Sequence, residues 1–209
     1  MIDPGHNGLN YTDPSFINRL VFIGTGYKAC DTTGTQTNAG YPESAFAFDL
    51  AVRLADKLRA LGATVIFTRT DNSGVGPCIT TRAQVGNNAH AAAVISLHAD
   101  GGPASGLGFH VIEPAAVGIN NSIISASARL GSAVVGAFSA VEQRSTYIGG
   151  GTGVSVRNDL GGLNLSTVPK VFIECGNMRN TADAARLSSP SWRDSAATAL
   201  SRAFLAYLG

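Results

Sequence analysis

No stretch of the 209-residue chain stays apolar for the roughly 18 residues that a membrane helix requires, so no transmembrane segment is expected. No charged-then-apolar leader precedes the first motif. Met1-Ile2 is nevertheless too short for the strand that should lead into Asp3-Pro4-Gly5-His6, and an upstream segment removed by processing is the expectation. Charge is scarce as well: Asp, Glu, Lys and Arg make up 14% of the residues and the formal net charge is +1. This leaves no basic stripe for nucleic acid and no polybasic segment for a membrane surface. With 44% hydrophobic residues, the same balance excludes a disordered chain and supplies one sizeable core. Neither a linker nor an internal repeat divides the sequence, so residues 1–209 are read as a single domain, expected to be a monomer.

Cysteine is rare too, with three residues in the chain. Cys30 and Cys78 lie in Gly- and Thr-rich, loop-like surroundings, whereas Cys175 follows Glu174 at a strand end and reads as a small buried hydrophobe. A Cys30–Cys78 disulfide with Cys175 free is expected, and it points to an exported protein, in the periplasm, cell wall or extracellular space. Three unpaired cytosolic cysteines are the alternative.

Against this sparse background, four side chains stand where strands or helices end: His6, Glu43, His98 and Glu174. Met1-Ile2, Ala93 to Leu97 and Lys170 to Ile173 are short apolar runs of the kind that forms buried parallel strands. In open α/β sheets, ligands bind beyond the carboxyl ends of such strands. Glu43 opens a helical stretch to Leu61, with Phe46, Leu50, Leu54, Leu58 and Leu61 along one face. A carboxylate in a first helical turn is favoured by the backbone dipole and points outward.

Two imidazoles and one carboxylate, with a fourth position left to water, form the ligand set of several catalytic zinc hydrolases. His6, Glu43 and His98 are assigned to a single Zn2+ ion. Glu174 is assigned as the catalytic residue, a general base that takes a proton from water and delivers it to the leaving amine. Competing residues have plainer readings. His90 ends a surface helix, and His110 lies inside a strand over Gly108 to Ile112, facing a sheet surface. Glu113 precedes Pro114 at the end of that strand, and Glu142 reads as a solvated charge. Arg69 with Asp71, and Arg82, either bind substrate or brace the loop after a strand. Gly24-Thr25-Gly26 lacks the spacing of a nucleotide-binding turn.

The remaining pattern is an alternation. Strands are expected at Thr64 to Thr68, Ala93 to Leu97, Gly108 to Ile112 and Lys170 to Glu174. Helices are expected over Glu43 to Leu61, Thr80 to Ala91, Asn120 or Asn121 to about Val141, and Pro190 to Leu208. A flexible turn or hairpin is expected between Tyr147 and Gly162. Residues 7–42 read as one wall of the cleft, pinned by the disulfide. The fold class is α/β, with a mostly parallel central sheet flanked by helices on both faces.

Taken in order, Asp3-Pro4-Gly5-His6, the Glu43 helix, Phe67-Thr68-Arg69 with Asp71, Arg82 before Asn87-Asn88, the Ser96-Leu97-His98 strand end, and Ile173-Glu174-Cys175-Gly176 with Asn180 resemble the zinc-dependent N-acetylmuramoyl-L-alanine amidases over the whole chain. The resemblance implies cleavage of the amide between the lactyl group of N-acetylmuramic acid and L-alanine, in peptidoglycan or muropeptide fragments. It also matches His6, Glu43 and His98 to zinc ligands and Glu174 to the catalytic glutamate. Asn7-Gly8, Asp100 and Cys175-Gly176-Asn177-Met178 depart from the usual pattern on the walls of the site and not among its ligands. Family members can carry an inserted helix that blocks the cleft, and the short Gly/Pro-rich stretch 99–119 contains no such helix. The alternatives are a zinc peptidase acting on peptide substrates and a catalytically silent wall-binding or regulatory domain. The first is separated by comparing a muramoyl peptide with the free peptide, and the second has no use for a general base.

Overall fold

A computed structural model describes residues Met1–Gly209. The strands are β1 (Ile2–Pro4), β2 (Leu20–Phe22), β3 (Tyr27–Ala29), β4 (Val94–Asp100), β5 (His110–Pro114), β6 (Val154–Arg157) and β7 (Lys170–Asn177). The helices are α1 (Pro14–Ile17), α2 (Glu43–Ala60), α3 (Ile79–Asn88), α4 (Ile124–Phe138), α5 (Gly161–Asn164), α6 (Thr181–Ser188) and α7 (Pro190–Leu208).

Five strands form the central sheet in the order β1-β4-β7-β5-β6. Strands β1, β4 and β7 run parallel, as do β5 and β6, and β5 meets β7 antiparallel. Residues 101–109, between β4 and β5, form a connection shorter than the dozen or so residues that a parallel crossover needs. The chain therefore returns in the opposite direction, and β7 later fills the slot between the two strands. No helix lies in that connection. The mostly parallel α/β sheet is the fold class expected from the sequence.

Alternation along the strands divides the sheet into two unlike faces. Ile95, Leu97 and Ala99 of β4 and Val171, Ile173 and Cys175 of β7 point into the main core, which is closed by α2, α4 and α7. Leu50, Leu54, Leu130, Val134, Leu200 and Phe204 supply the helical side of that core, all nearly or fully buried. The intervening residues, Ser96, His98, Asp100, Lys170, Phe172 and Glu174, line a cleft on the other face, covered only by the short α3 and α5 and by loops.

Three elements differ from expectation. Thr64 to Thr68 does not form a strand: it makes one bridge, with Ile2 donating to Ile66 O at 2.9 Å and Thr68 donating to Ile2 O at 3.2 Å. Pro4 has no N–H with which to continue the ladder, so pairing ends after one residue. Of the turn or hairpin expected after Tyr147, the turn forms, and the strand that follows it was not foreseen. The chain turns through Gly149–Gly151 and delivers β6 to the sheet edge beside β5. Helix α6 escaped the sequence reading, although Asn180 caps it by accepting from the Ala182 and Asp183 N–H groups.

Residues 7–42 carry a β2–β3 hairpin whose base is tied by the Cys30–Cys78 disulfide, with Cys175 buried and free. The crosslink spans 48 residues, for which loop-closure entropy gives about 4 kcal/mol. A Cys30→Ala/Cys78→Ala variant is expected to melt roughly 5–15 °C below the wild type by calorimetry. Coincident melting curves would show that the bond contributes nothing.

Candidate metal centre

The Asp3-Pro4-Gly5-His6 turn leaves β1 in a conformation that few sequences accept. His6 sits at φ 53, in the left-handed region. Two buried guanidinium groups hold it there. Arg69 donates to the Pro4 and Gly5 carbonyls at 3.1 and 3.0 Å, and Arg82 donates to the Pro4 and His6 carbonyls at 2.7 and 2.9 Å. Arg69 also donates to the Asp71 carbonyl. Of the two readings open for these arginines, the structure supports bracing. Gly5 must be glycine, because a Cβ there would fall 2.1 Å from the His98 ring.

His98 and Glu174 do not lie beyond the strands. Strands β4 and β7 continue to Asp100 and Asn177, and the two residues face each other in register on the polar face of the sheet. The His98 ring stacks on Phe172, with centroids 3.9 Å apart and planes inclined by 14°. Glu43 comes from the first turn of α2 and reaches both imidazoles. Its Oε1 lies 2.7 Å from His98 Nδ1 and 3.3 Å from His6 Nε2, while Oε2 accepts from Thr35 N–H. Donor atoms of His6, Glu43 and His98 all fall within 4.8 Å of one another, close enough to share one metal ion.

Electrostatics fit a cation at this point. Burial raises the Glu43 pKa, but His6 and His98 outweigh that effect and hold the carboxyl far below its usual range. Burial lowers the His6 pKa, yet Glu43 and Asp31 prevail and push it up to about 10. His98 is lowered, chiefly by burial. Positive charge beside Glu43 is thus electrostatically favoured, whether from a protonated imidazole or from a bound cation. Glu174 behaves in the opposite way. Burial first, then Glu43 and Asp100, raise it well above the usual carboxylate range, and its Oε2 is buried without a hydrogen-bond partner.

A second layer supports the donors, and among its members Asp31 carried no signal in the sequence. Asp31 Oδ1 lies 3.1 Å from His6 Nδ1, and its Oδ2 accepts from Arg82 at 3.2 Å. Carboxylates in this position fix the tautomer and orientation of a metal-binding imidazole. Arg82 continues to Asp3 at 3.0 Å, and Asp3 also takes Lys170 Nζ at 3.0 Å. Asp31 directly follows Cys30, while Arg82 stands on α3 just after Cys78.

The cleft beside these residues encloses ≈ 370 Å³. One wall is Lys28 to Thr35, from the segment expected to form it, and the other is Asp159 to Leu163. The walls touch where Lys28 Nζ meets Asp159 Oδ2 at 2.8 Å and Thr25 Oγ1 donates to Asn158 O at 2.9 Å.

His110 lies in a strand and outside the cleft, as expected from the sequence, but its neighbour on the sheet was not foreseen. The sheet surface it faces is the surface that carries the site, because His110 pairs in register with Glu174. Glu142 is buried and paired with Arg186, not solvated, and Glu113 on β5 lines no part of the cleft.

A family model described as N-acetylmuramoyl-L-alanine amidase matches residues 1–206. The curated N-acetylmuramoyl-L-alanine amidase Rv3717 of Mycobacterium tuberculosis is 41% identical over 209 residues, covering 99% of this chain and 85% of its own length. The crystal structure of the amidase Ami1 from Mycobacterium smegmatis superposes with a TM-score of 0.94 at 39% identity, covering 100% of this chain and 95% of that one. Apo Ami1 from Mycobacterium abscessus gives a TM-score of 0.94 at 41% identity, with 100% and 97% covered.

Proposed function

The chain belongs to the N-acetylmuramoyl-L-alanine amidase family, and from that premise we propose that it is a zinc-dependent amidase of the bacterial cell wall. Its substrate is peptidoglycan or a muropeptide fragment, and the bond broken is the amide between the lactyl group of N-acetylmuramic acid and L-alanine. The observation that carries this reading is the carboxylate of Glu174, in register with His98 at the rim of a three-donor cluster.

His6, Glu43 and His98 are the residues that would hold the ion. A zinc ion, when bound, supplies Lewis acidity, acidifying water and polarising a carbonyl. Glu174 accepts a proton from the attacking water as its oxygen bonds to the lactyl carbonyl carbon. It then passes that proton to the alanine nitrogen as the C–N bond breaks, leaving a free amine and a lactyl carboxylic acid that ionises in water. Phe172 holds the His98 ring by stacking on it, and Asp31 holds His6. The Cys30–Cys78 disulfide supports a location in an oxidising compartment outside the cytoplasm.

Product mass spectrometry on a muramoyl dipeptide, run beside the free peptide with added zinc, tests the activity. Release of L-alanine-initiated peptide from the first substrate only is expected, and turnover of the free peptide would favour a peptidase. His98→Ala is expected to reduce bound zinc from about one equivalent per chain to a small fraction. Full occupancy by metal analysis would remove His98 from the set. Because His6 carries a proton below its raised pKa of about 10, zinc uptake near pH 7 should release about one proton. Apparent affinity should then weaken about tenfold for each unit of pH lost. Calorimetric titration in buffers of different ionisation enthalpy counts that proton, and a count of zero would contradict it.

A further inference from the structure

Strand β5 runs antiparallel to β7 and pairs His110 with Glu174, Val111 with Ile173 and Ile112 with Phe172. Directly opposed residues share a face, with Cβ atoms about 4.5–5.5 Å apart. Glu174 therefore stands between two histidines, His98 on one side and His110 on the other. His98 already has partners. His110 has none, although it is 3% exposed: its side chain makes no hydrogen bond, and Nδ1 is buried and unsatisfied. Glu174 Oε2 is in the same condition, so two of the three buried side-chain atoms without a partner belong to adjacent residues on one face.

Buried polar groups are almost always paired, and leaving one unpaired costs about 1–3 kcal/mol. The two atoms do not bond each other in this structure; because their residues are cross-strand neighbours, a side-chain torsion change at either one would bring donor onto acceptor and satisfy both. Resting on the reading of Glu174 as general base, we infer that His110 is its positioning residue, donating a hydrogen bond from Nδ1 to Glu174 Oε2 and so presenting the other oxygen to the attacking water. His110 does not line the cleft, so it acts through Glu174 and not on substrate. Burial lowers its pKa, which leaves a neutral imidazole with one N–H to place.

The backbone beneath His110 is fixed. Gly108 N–H donates to the buried Asp183 carboxylate at 2.8 Å, and a Cβ at Gly108 would meet Gln143 O at 2.6 Å. Phe109, fully buried, exchanges backbone hydrogen bonds with Gln143 and Ser145. A ring held on so firm a base can orient a carboxylate.

The test compares zinc-loaded wild type, His110→Leu and His110→Asn on the muramoyl dipeptide. Leucine fills the space without donating, whereas the asparagine amide places a donor near the position of Nδ1. Leucine is expected to lower kcat about 10–100-fold, the usual loss for a supporting residue, with KM and zinc content unchanged. Asparagine is expected to recover most of the loss. A second measurement is independent of turnover: the 15N resonance of His110 Nδ1 in the metal-free protein should move on Glu174→Ala. A leucine variant within twofold of wild-type kcat overturns the inference, as does an asparagine variant as slow as leucine, or an unmoved resonance. Absence of turnover by the wild type would instead remove the proposed activity, and the resonance comparison would still decide the pairing.

Discussion

Glu174→Ala is expected to lower kcat by about 10²–10⁴-fold, the range lost when a general acid–base is removed, while zinc content stays at the wild-type level. The two effects separate because Glu174 lies outside the donor cluster: His6, Glu43 and His98 meet without it. Its task requires the ionised form, and burial with two nearby acids makes ionisation difficult. A group whose pKa is raised gives up its proton only at higher pH, so wild-type turnover should fall as pH drops through that raised value. The alanine variant should lose this acid limb. Steady-state rates across pH, with metal analysis of the same samples, check both parts. Wild-type turnover by the variant would end the assignment of Glu174, and loss of zinc would show that it helps to hold the metal.

Asp3→Asn is expected to destabilise the protein by about 3–5 kcal/mol, the loss seen when one partner of a buried ion pair is removed. Asp3 is 3% exposed and lies between Arg82 and Lys170, with Ser96 and Thr68 donating to it as well. Burial opposes its charge, but Lys170, Arg82 and the two hydroxyls outweigh that and hold its pKa well below the ordinary value. The sign follows from linkage. A depressed pKa contributes stability above the unfolded-state value, and that contribution disappears as pH falls through the folded value. Urea unfolding at pH 7 should therefore show the full gap between wild type and variant, and the gap should narrow well below pH 4. A gap under about 1 kcal/mol at pH 7 would mean that Arg82 and Lys170 find other partners. The double variant Asp3→Asn/Lys170→Met should be less damaged than the single, since it removes one of the stranded cations.

The sequence disclosed the elements whose chemistry is local. Helices α2 and α7 show a continuous apolar stripe and unambiguous ends, and the apolar runs of β4 and β7 mark strands buried in a core. That His6, Glu43 and His98 come together was legible because each is a rare residue type at or near the end of such an element; Glu174 drew attention for the same reason. What stayed hidden depends on tertiary neighbours. The failure of Thr64 to Thr68 as a strand comes from Pro4, distant in sequence. Edge strand β6 was masked by glycines that serve the turn before it. The pairing of His110 with Glu174 stayed hidden because strand order decides what a sheet surface adjoins, and apolar patterning carries no strand order. Asp31 gives no signal at all, since an acid after a cysteine in a polar loop has no periodicity to read.

The crosslink carries one more consequence. Cys30 precedes the carboxylate that steadies His6, and Cys78 precedes the helix bearing the guanidinium that steadies that carboxylate. Ile79 N–H also donates to Cys30 O at 2.8 Å. Oxidation of this thiol pair therefore sutures the scaffold behind the first imidazole. The Cys30→Ala/Cys78→Ala variant should accordingly retain zinc less tightly at temperatures well below its melting point. In reducing surroundings the chain would then be an unfinished tool, completed only where the two thiols can oxidise.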